Sequence, residues 1–216
     1  MTLSLPEQLL VLAFHEKKEH TLNTSLGFGL AGAMLAELLL RGKLERHRLS
    51  LVRRDQTLTS DPILNEALLI MDSLQQGQTA RYWINHLYFR MRRLRQQLTV
   101  QLAGKGLLTA TERRSLGLFP SRTYRLTDPH SALALKDQIR QVMFRSFAPS
   151  PRQLAIIALS QSAGLRLFTR EERSAARARI EEILERDPIG KAVAEAVRDY
   201  RGAATAVIAV SAAASA

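Results

Sequence analysis

The sequence predicts a mainly α fold, a single globular helical domain with a short β-hairpin or small strand pairs. Three observations predict it. Ile84, Leu87, Met91, Leu94, Leu98 and Leu102 recur at spacings of three and four, the repeat of one helix face. Helix-start signatures recur along the chain, at Asp61-Pro62, Asp128-Pro129, Ser150-Pro151 and Thr169 with Glu172. Strand-like alternation is confined to residues 44–58 and 107–126. The 216 residues are 46% apolar, enough to bury one core, and no repeat or linker divides them, so residues 1–216 are read as one domain.

Taken in order, PEQLLVLA (6–13) predicts a short helix or the entry to a strand, and HEKKEH (15–20) a polar turn. Residues 27–44 predict a buried helix in which Gly29, Gly32, Ala33 and Ala36 let another backbone come close, with Gly42 as its stop. Residues 44–58 predict a short strand pair. Asp61 caps a helix with Pro62 in its first position, running to about Leu74. A basic helix begins at Thr79 and ends at Gly104 or Gly106. A break near Leu87–Tyr88 is compatible with its pattern. As one helix, it places Arg92 and Arg95 three apart on a side away from the apolar stripe. A hairpin follows over 107–126, its tip formed by Leu116, Leu118 and Phe119 and flanked by Arg113, Arg114 and Arg122. Helices are expected from Pro129 to about Phe147, from Pro151 to Gln161 with Gly164 closing it, over 170–186, and from about Pro188 to Val210, ahead of an Ala-rich tail at 205–216.

Charge is concentrated. The chain has 31 Lys+Arg and 20 Asp+Glu, formally +11. Residues 81–125 hold 10 basic and 1 acidic side chains, net +9, while 1–80 and 126–216 carry −1 and +3. Such a field attracts polyanions, either nucleic acid or an anionic membrane surface; the plainer alternative is a solvated face. The N-terminus lacks the basic start of a signal peptide, and residues 202–216 are shorter than the roughly 20 residues of a spanning helix. A cytoplasmic protein, peripheral on the cytoplasmic face of a membrane, is the expectation.

Catalytic chemistry is not visible. Cysteine is absent, which removes thiol catalysis and cysteine-based zinc sites. His15, His20, His47, His86 and His130 show no metal-ligand spacing, so no metal and no cofactor is expected. Gly27, Gly29 and Gly32 spell G-x-G-x-x-G, but a dinucleotide site needs a strand before it, and close helix packing explains these glycines better. Glu171-Glu172 and Glu181-Glu182 fit helix-dipole and i,i+4 roles. The chain is read as not an enzyme.

Five stretches together resemble the Golgi phosphoprotein 3 (GPP34) family: LPEQLLVLAF (5–14), GLAGAMLAELLLRGKL (29–44), TSDPILNEALLIM (59–71), RRLRQQLTVQLAGKGLLT (92–109) and SLGLFPSRTYRLTDP (115–129). The short N-terminus and Ala/Arg-rich composition are similar to a bacterial member, to which a Golgi adaptor role does not carry over. The resemblance implies a helical domain with a hydrophobic hairpin, binding peripherally to membranes that carry phosphatidylinositol 4-phosphate or a similar anionic lipid. It implies that Arg92 and Arg95 hold the head group and that Leu116, Leu118 and Phe119 insert. Two pocket positions depart from the family: its tryptophan falls near Leu22, and the arginine of its GLRG is Ala31. The sequence then keeps general anionic-lipid affinity with one aromatic platform and one phosphate ligand fewer.

Guanidinium forks suit a phosphomonoester, so the residues support that implication on their own chemistry. Alternatives are a fold-back of the tip residues onto the core and ion pairing of the arginines, for which Glu112 is the sole local carboxylate. A basic helix followed by an arginine-flanked hairpin also describes a winged-helix nucleic-acid-binding module, against which the apolar tip stands. Protein clients and self-association through the loop at 15–25 or the tail complete the partner expectations.

Overall fold

A computed structural model describes residues 2–16, 24–115, 119–144, 149–186 and 189. The first helix, α1 (Leu5–His15), starts from Ser4, whose backbone N–H donates to Glu7 Oε2 at 2.9 Å. It is buried almost all round, as is α2 (Thr24–Leu40). A helix apolar on every face belongs at the centre of a fold. These two pack together, and α2 is surrounded by α4 (Ala80–Arg90), α5 (Leu94–Gly104) and α7 (Pro151–Ser162), while α1 also meets α6 (Pro129–Phe144).

The predicted caps are present. Asp61 accepts from the N–H groups of Ile63 and Leu64 at the start of α3 (Pro62–Asp72). Thr79 accepts from Tyr82 N–H at the start of α4, and Ser150 and Gln153 form a capping box on α7. Thr169 and Glu172 exchange bonds at the start of α8 (Arg170–Arg186). Gly42 and Gly164 end α2 and α7 with φ of +68° and +74°, a region that favours glycine.

Two antiparallel hairpins complete the described fold. β1 (Leu44–His47) pairs with β2 (Ser50–Arg53), and β3 (Leu108–Ser115) pairs with β4 (Phe119–Leu126), Glu112 opposite Arg122. The expected last helix from Pro188 and the Ala-rich tail lie outside the described residues, apart from Ile189. No helix among the described residues is long and apolar enough to cross a membrane.

The first two glycines of G-x-G-x-x-G are packing residues. They lie inside α2, and no strand precedes them among the described residues. A Cβ on Gly29 would stand 2.8 Å from that of Ala163, at the end of α7, and one on Gly27 would stand 2.5 Å from Tyr88 Cε2 on α4. Two carboxylates enter the core with partners. Glu37 accepts from Leu5 N–H, Arg41 and Arg152. Glu7 pairs with Lys105. Burial pushes Glu37 up, but the Arg152 and Arg41 hydrogen bonds, with that of Leu5, outweigh it and hold its carboxyl below the ordinary value.

Candidate functional site

The apolar stripe from Ile84 to Leu102 is buried throughout. It does not run along one helix. α4 ends at Arg90, and Met91 to Arg93 form a turn before α5 begins at Leu94, whose N–H donates to Met91 O at 2.9 Å. The turn lies later than Leu87–Tyr88 and contains neither Gly nor Pro, and the stripe passes through it in register. In a continuous helix Arg90 would stand over Arg93 and Arg92 over Arg95, like-charge pairs that each cost a few tenths of a kcal/mol, about the size of one surface pair. Arg92 is therefore not on a helix face shared with Arg95. It sits in the turn, and Arg95 sits in the first turn of α5.

The broken geometry still brings the two arginines to one place. A cavity of about 320 Å³ is lined by Gly27, Leu30, Tyr88, Phe89, Met91, Arg92, Leu94 and Arg95. Its floor is α2, which can approach because Gly27 has no side chain to meet Tyr88. Tyr88 stacks on Phe28 at a centroid distance of 4.1 Å, and Phe89 meets Tyr88 edge to face at 5.0 Å. Both arginines are exposed. α5 starts after Arg93 without a side-chain cap, so the partial positive charge of a helix N-terminus lies near the same residues, although Leu94 N–H is taken by Met91 O. No Asp or Glu occurs between Asp72 and Glu112, and Arg92 has no ion pair among the described residues.

A guanidinium pair, an uncapped helix start and an aromatic wall can hold a phosphate group attached to something less polar. A wider groove of about 600 Å³, on the far side of α5, is lined by Pro62, Ile63, Arg93, Val100 and three glutamines. It has one cation and no aromatic wall, so the smaller cavity is the candidate site. Among the described residues no group of three potential ligands could hold a metal ion.

The other predicted positions fall differently. Ala31 is fully buried and does not line the cavity, standing one turn along α2 from Gly27. Leu22, Leu116 and Leu118 lie outside the described residues. Phe119 is described by its backbone, as the first residue of β4 opposite Ser115. Tyr88, Phe89 and Gly27 were not among the expected site residues. The signal for Phe89 was an aromatic off the apolar stripe inside an arginine run; Gly27 and Tyr88 have none, because their meeting is tertiary.

Residues 5–200 match the family described as Golgi phosphoprotein 3 (GPP34). The chain is also similar to vacuolar protein sorting-associated protein 74 of Eremothecium gossypii, 27% identical over 166 residues that cover 66% of this chain and 49% of that protein. The chain spans about half the length of this curated relative.

Proposed function

The chain belongs to the Golgi phosphoprotein 3 (GPP34) family, and from that premise we propose that it is a peripheral membrane protein whose cavity between α2, α4 and α5 takes the phosphorylated head group of an anionic lipid, phosphatidylinositol 4-phosphate or a close analogue. The observation that carries this reading is the convergence of Arg92, Arg95 and the start of α5 on one aromatic-walled cavity. Guanidinium groups and helix amides both bind phosphate, and an aromatic side suits the face of an inositol ring. In this reading Phe89 provides an aromatic surface that Leu22 does not, and the phosphate loses the ligand that Ala31 replaces. In this reading the hairpin tip, Leu116, Leu118 and Phe119, enters the acyl boundary. Each basic residue close to an anionic leaflet contributes about 1 kcal/mol, so head group and hairpin act together to give reversible attachment.

The test is co-sedimentation with phosphatidylcholine vesicles, plain or doped with phosphatidylserine or phosphatidylinositol 4-phosphate. Binding should require the anionic lipid, weaken with salt and fall in the Arg92→Ala, Arg95→Ala double variant. Unchanged binding in that variant removes the proposed site. A specific shift of duplex DNA with no vesicle binding would instead support the winged-helix alternative.

A further inference from the structure

The outward face of α4 belongs to no part of the cavity except at its end. Trp83, Ile84 and Leu87 point into the core. Opposite them stand Tyr82 and Phe89, at the i and i+7 positions of one face, with half-buried His86 between them, its Nε2 turned away from solvent. Tyr82 is 39% and Phe89 53% exposed, two aromatics held out from the core on a helix that has plenty of apolar side chains turned inward. Tyr82 stacks on His86 at 5.7 Å and 13°, and Phe89 leans on Tyr88. The rings are thus held in place rather than waving. Arg81 and Arg90 are exposed on the flanks of this face, and α4 carries no carboxylate. Phe89 also lines the cavity, so the stripe begins where the candidate head-group site ends.

We infer that the face of α4 presenting Tyr82 and Phe89, with His86 stacked behind Tyr82, is a second lipid contact, which lies along the head-group layer of an anionic membrane while Arg92 and Arg95 hold a phosphate. The inference rests on the lipid reading above and adds an orientation to it, with α4 parallel to the bilayer. Tyr82 suits that depth, where its ring meets acyl chains and its hydroxyl stays wet, and Phe89 adds apolar surface beside it. Flanking arginines match the sign of the leaflet. A second copy of the chain fits the face poorly. A two-fold contact through this face would bring the arginines that flank it on both copies, Arg90 among them, into one interface with no carboxylate on α4 to offset them.

The experiment uses the full chain, vesicles of phosphatidylcholine, phosphatidylserine and phosphatidylinositol 4-phosphate, and the soluble head group inositol 1,4-bisphosphate. Tyr82→Ala should lower vesicle affinity about three- to tenfold, the effect of withdrawing part of one aromatic from the interface, and leave head-group affinity unchanged. Tyr82→Trp should keep binding, and its emission should shift to the blue and be quenched by brominated lipid. Trp83, the one native tryptophan, is fully buried and gives a constant background. The arginine double variant separates the two ideas. If it keeps head-group affinity while Tyr82→Ala still weakens vesicle binding, the cavity assignment fails and the face stands. If Tyr82→Trp binds vesicles without shift or quenching, the face does not touch lipid and the inference is overturned. It is equally overturned if Tyr82→Ala leaves vesicle affinity intact and instead changes the sedimenting mass or single-stranded nucleic-acid binding.

Discussion

Arg152 donates to both oxygens of Glu37, at 2.9 and 3.0 Å, and Arg41 donates to the same carboxylate at 2.8 Å. Arg92 faces a cavity in a stretch of chain without a carboxylate. The same side chain thus does two jobs in one fold. At Glu37, a buried carboxylate 1% exposed, the arginines neutralise a charge that the core cannot tolerate alone; Arg152 ties α2 to α7, and the carboxylate itself accepts from Leu5 N–H, the first amide of α1. At the cavity Arg92 has no ion pair among the described residues, and its charge is left for something outside the chain. Balance marks structure here, and imbalance marks a site for an anion.

Removing the carboxylate is the largest way to break that contrast. Glu37→Ala leaves Arg152 and Arg41 aimed at an apolar hole and Leu5 N–H unpaired. Losing one partner of a buried pair costs about 3–5 kcal/mol, and because both arginines are one-third exposed we expect about 2–3 kcal/mol in urea denaturation, with folded protein still binding anionic vesicles. Equal loss of stability and of vesicle affinity in the folded fraction would show that the two arginine clusters are not separate.

The reciprocal experiment is the Arg92→Ala, Arg95→Ala double variant. At about 1 kcal/mol per basic residue near a leaflet, it should lose about 2 kcal/mol of vesicle affinity, roughly thirty-fold, with stability changed by no more than about 0.5 kcal/mol. A drop in urea midpoint as large as that of Glu37→Ala would assign these arginines to the fold instead.

Much of the scaffold could be read in advance because it rests on local chemistry. Asp61-Pro62, Ser150 with Gln153, and Thr169 with Glu172 each act within four residues, and each sits at a helix start. The stripe from Ile84 to Leu102 correctly named six core residues. The same stripe hid the turn at Met91–Arg93, because the chain re-enters a helix with its apolar face still in phase. Nor could periodicity pair Glu37 with Arg152, which are 115 residues apart, or bring Gly27 against Tyr88. The two arginines were therefore legible as a charge cluster, but the cavity that collects them was not, since its floor and wall come from α2 and α4.

Proton linkage sharpens the contrast further. Glu37 has a folded pKa below its ordinary 4.5, so its contribution is fully present above that pH and is lost as pH falls through the folded value. Below pH 4.5 the native protein should lose stability more steeply than Glu37→Gln, which has no proton to gain at that position; urea midpoints at a series of pH values measure it. Arginine does not titrate in this range. The lipid phosphate, whose second pKa is about 6, then contributes a pH dependence of vesicle binding that Arg92→Lys should leave in place.

The smallest expected effect tests whether the cavity matters as a shape. Gly27→Ala puts a methyl group 2.5 Å from Tyr88 Cε2, too close to tolerate, so the ring must move off α2. Tyr88 is only half-buried, so the cost to folding should fall at the low end of overpacking, about 1–2 kcal/mol, including the loss of its stack on Phe28. The displaced ring narrows the space beside Arg92 while leaving every positive charge in place. Head-group affinity should then fall a few-fold, and its salt dependence should keep the native slope. Affinity that survives the methyl group would mean that charge alone, without the aromatic wall, accounts for binding. In that case Arg90 and Arg93 should substitute for Arg92 and Arg95, and the double variant should lose no more than any other pair of arginines in the turn.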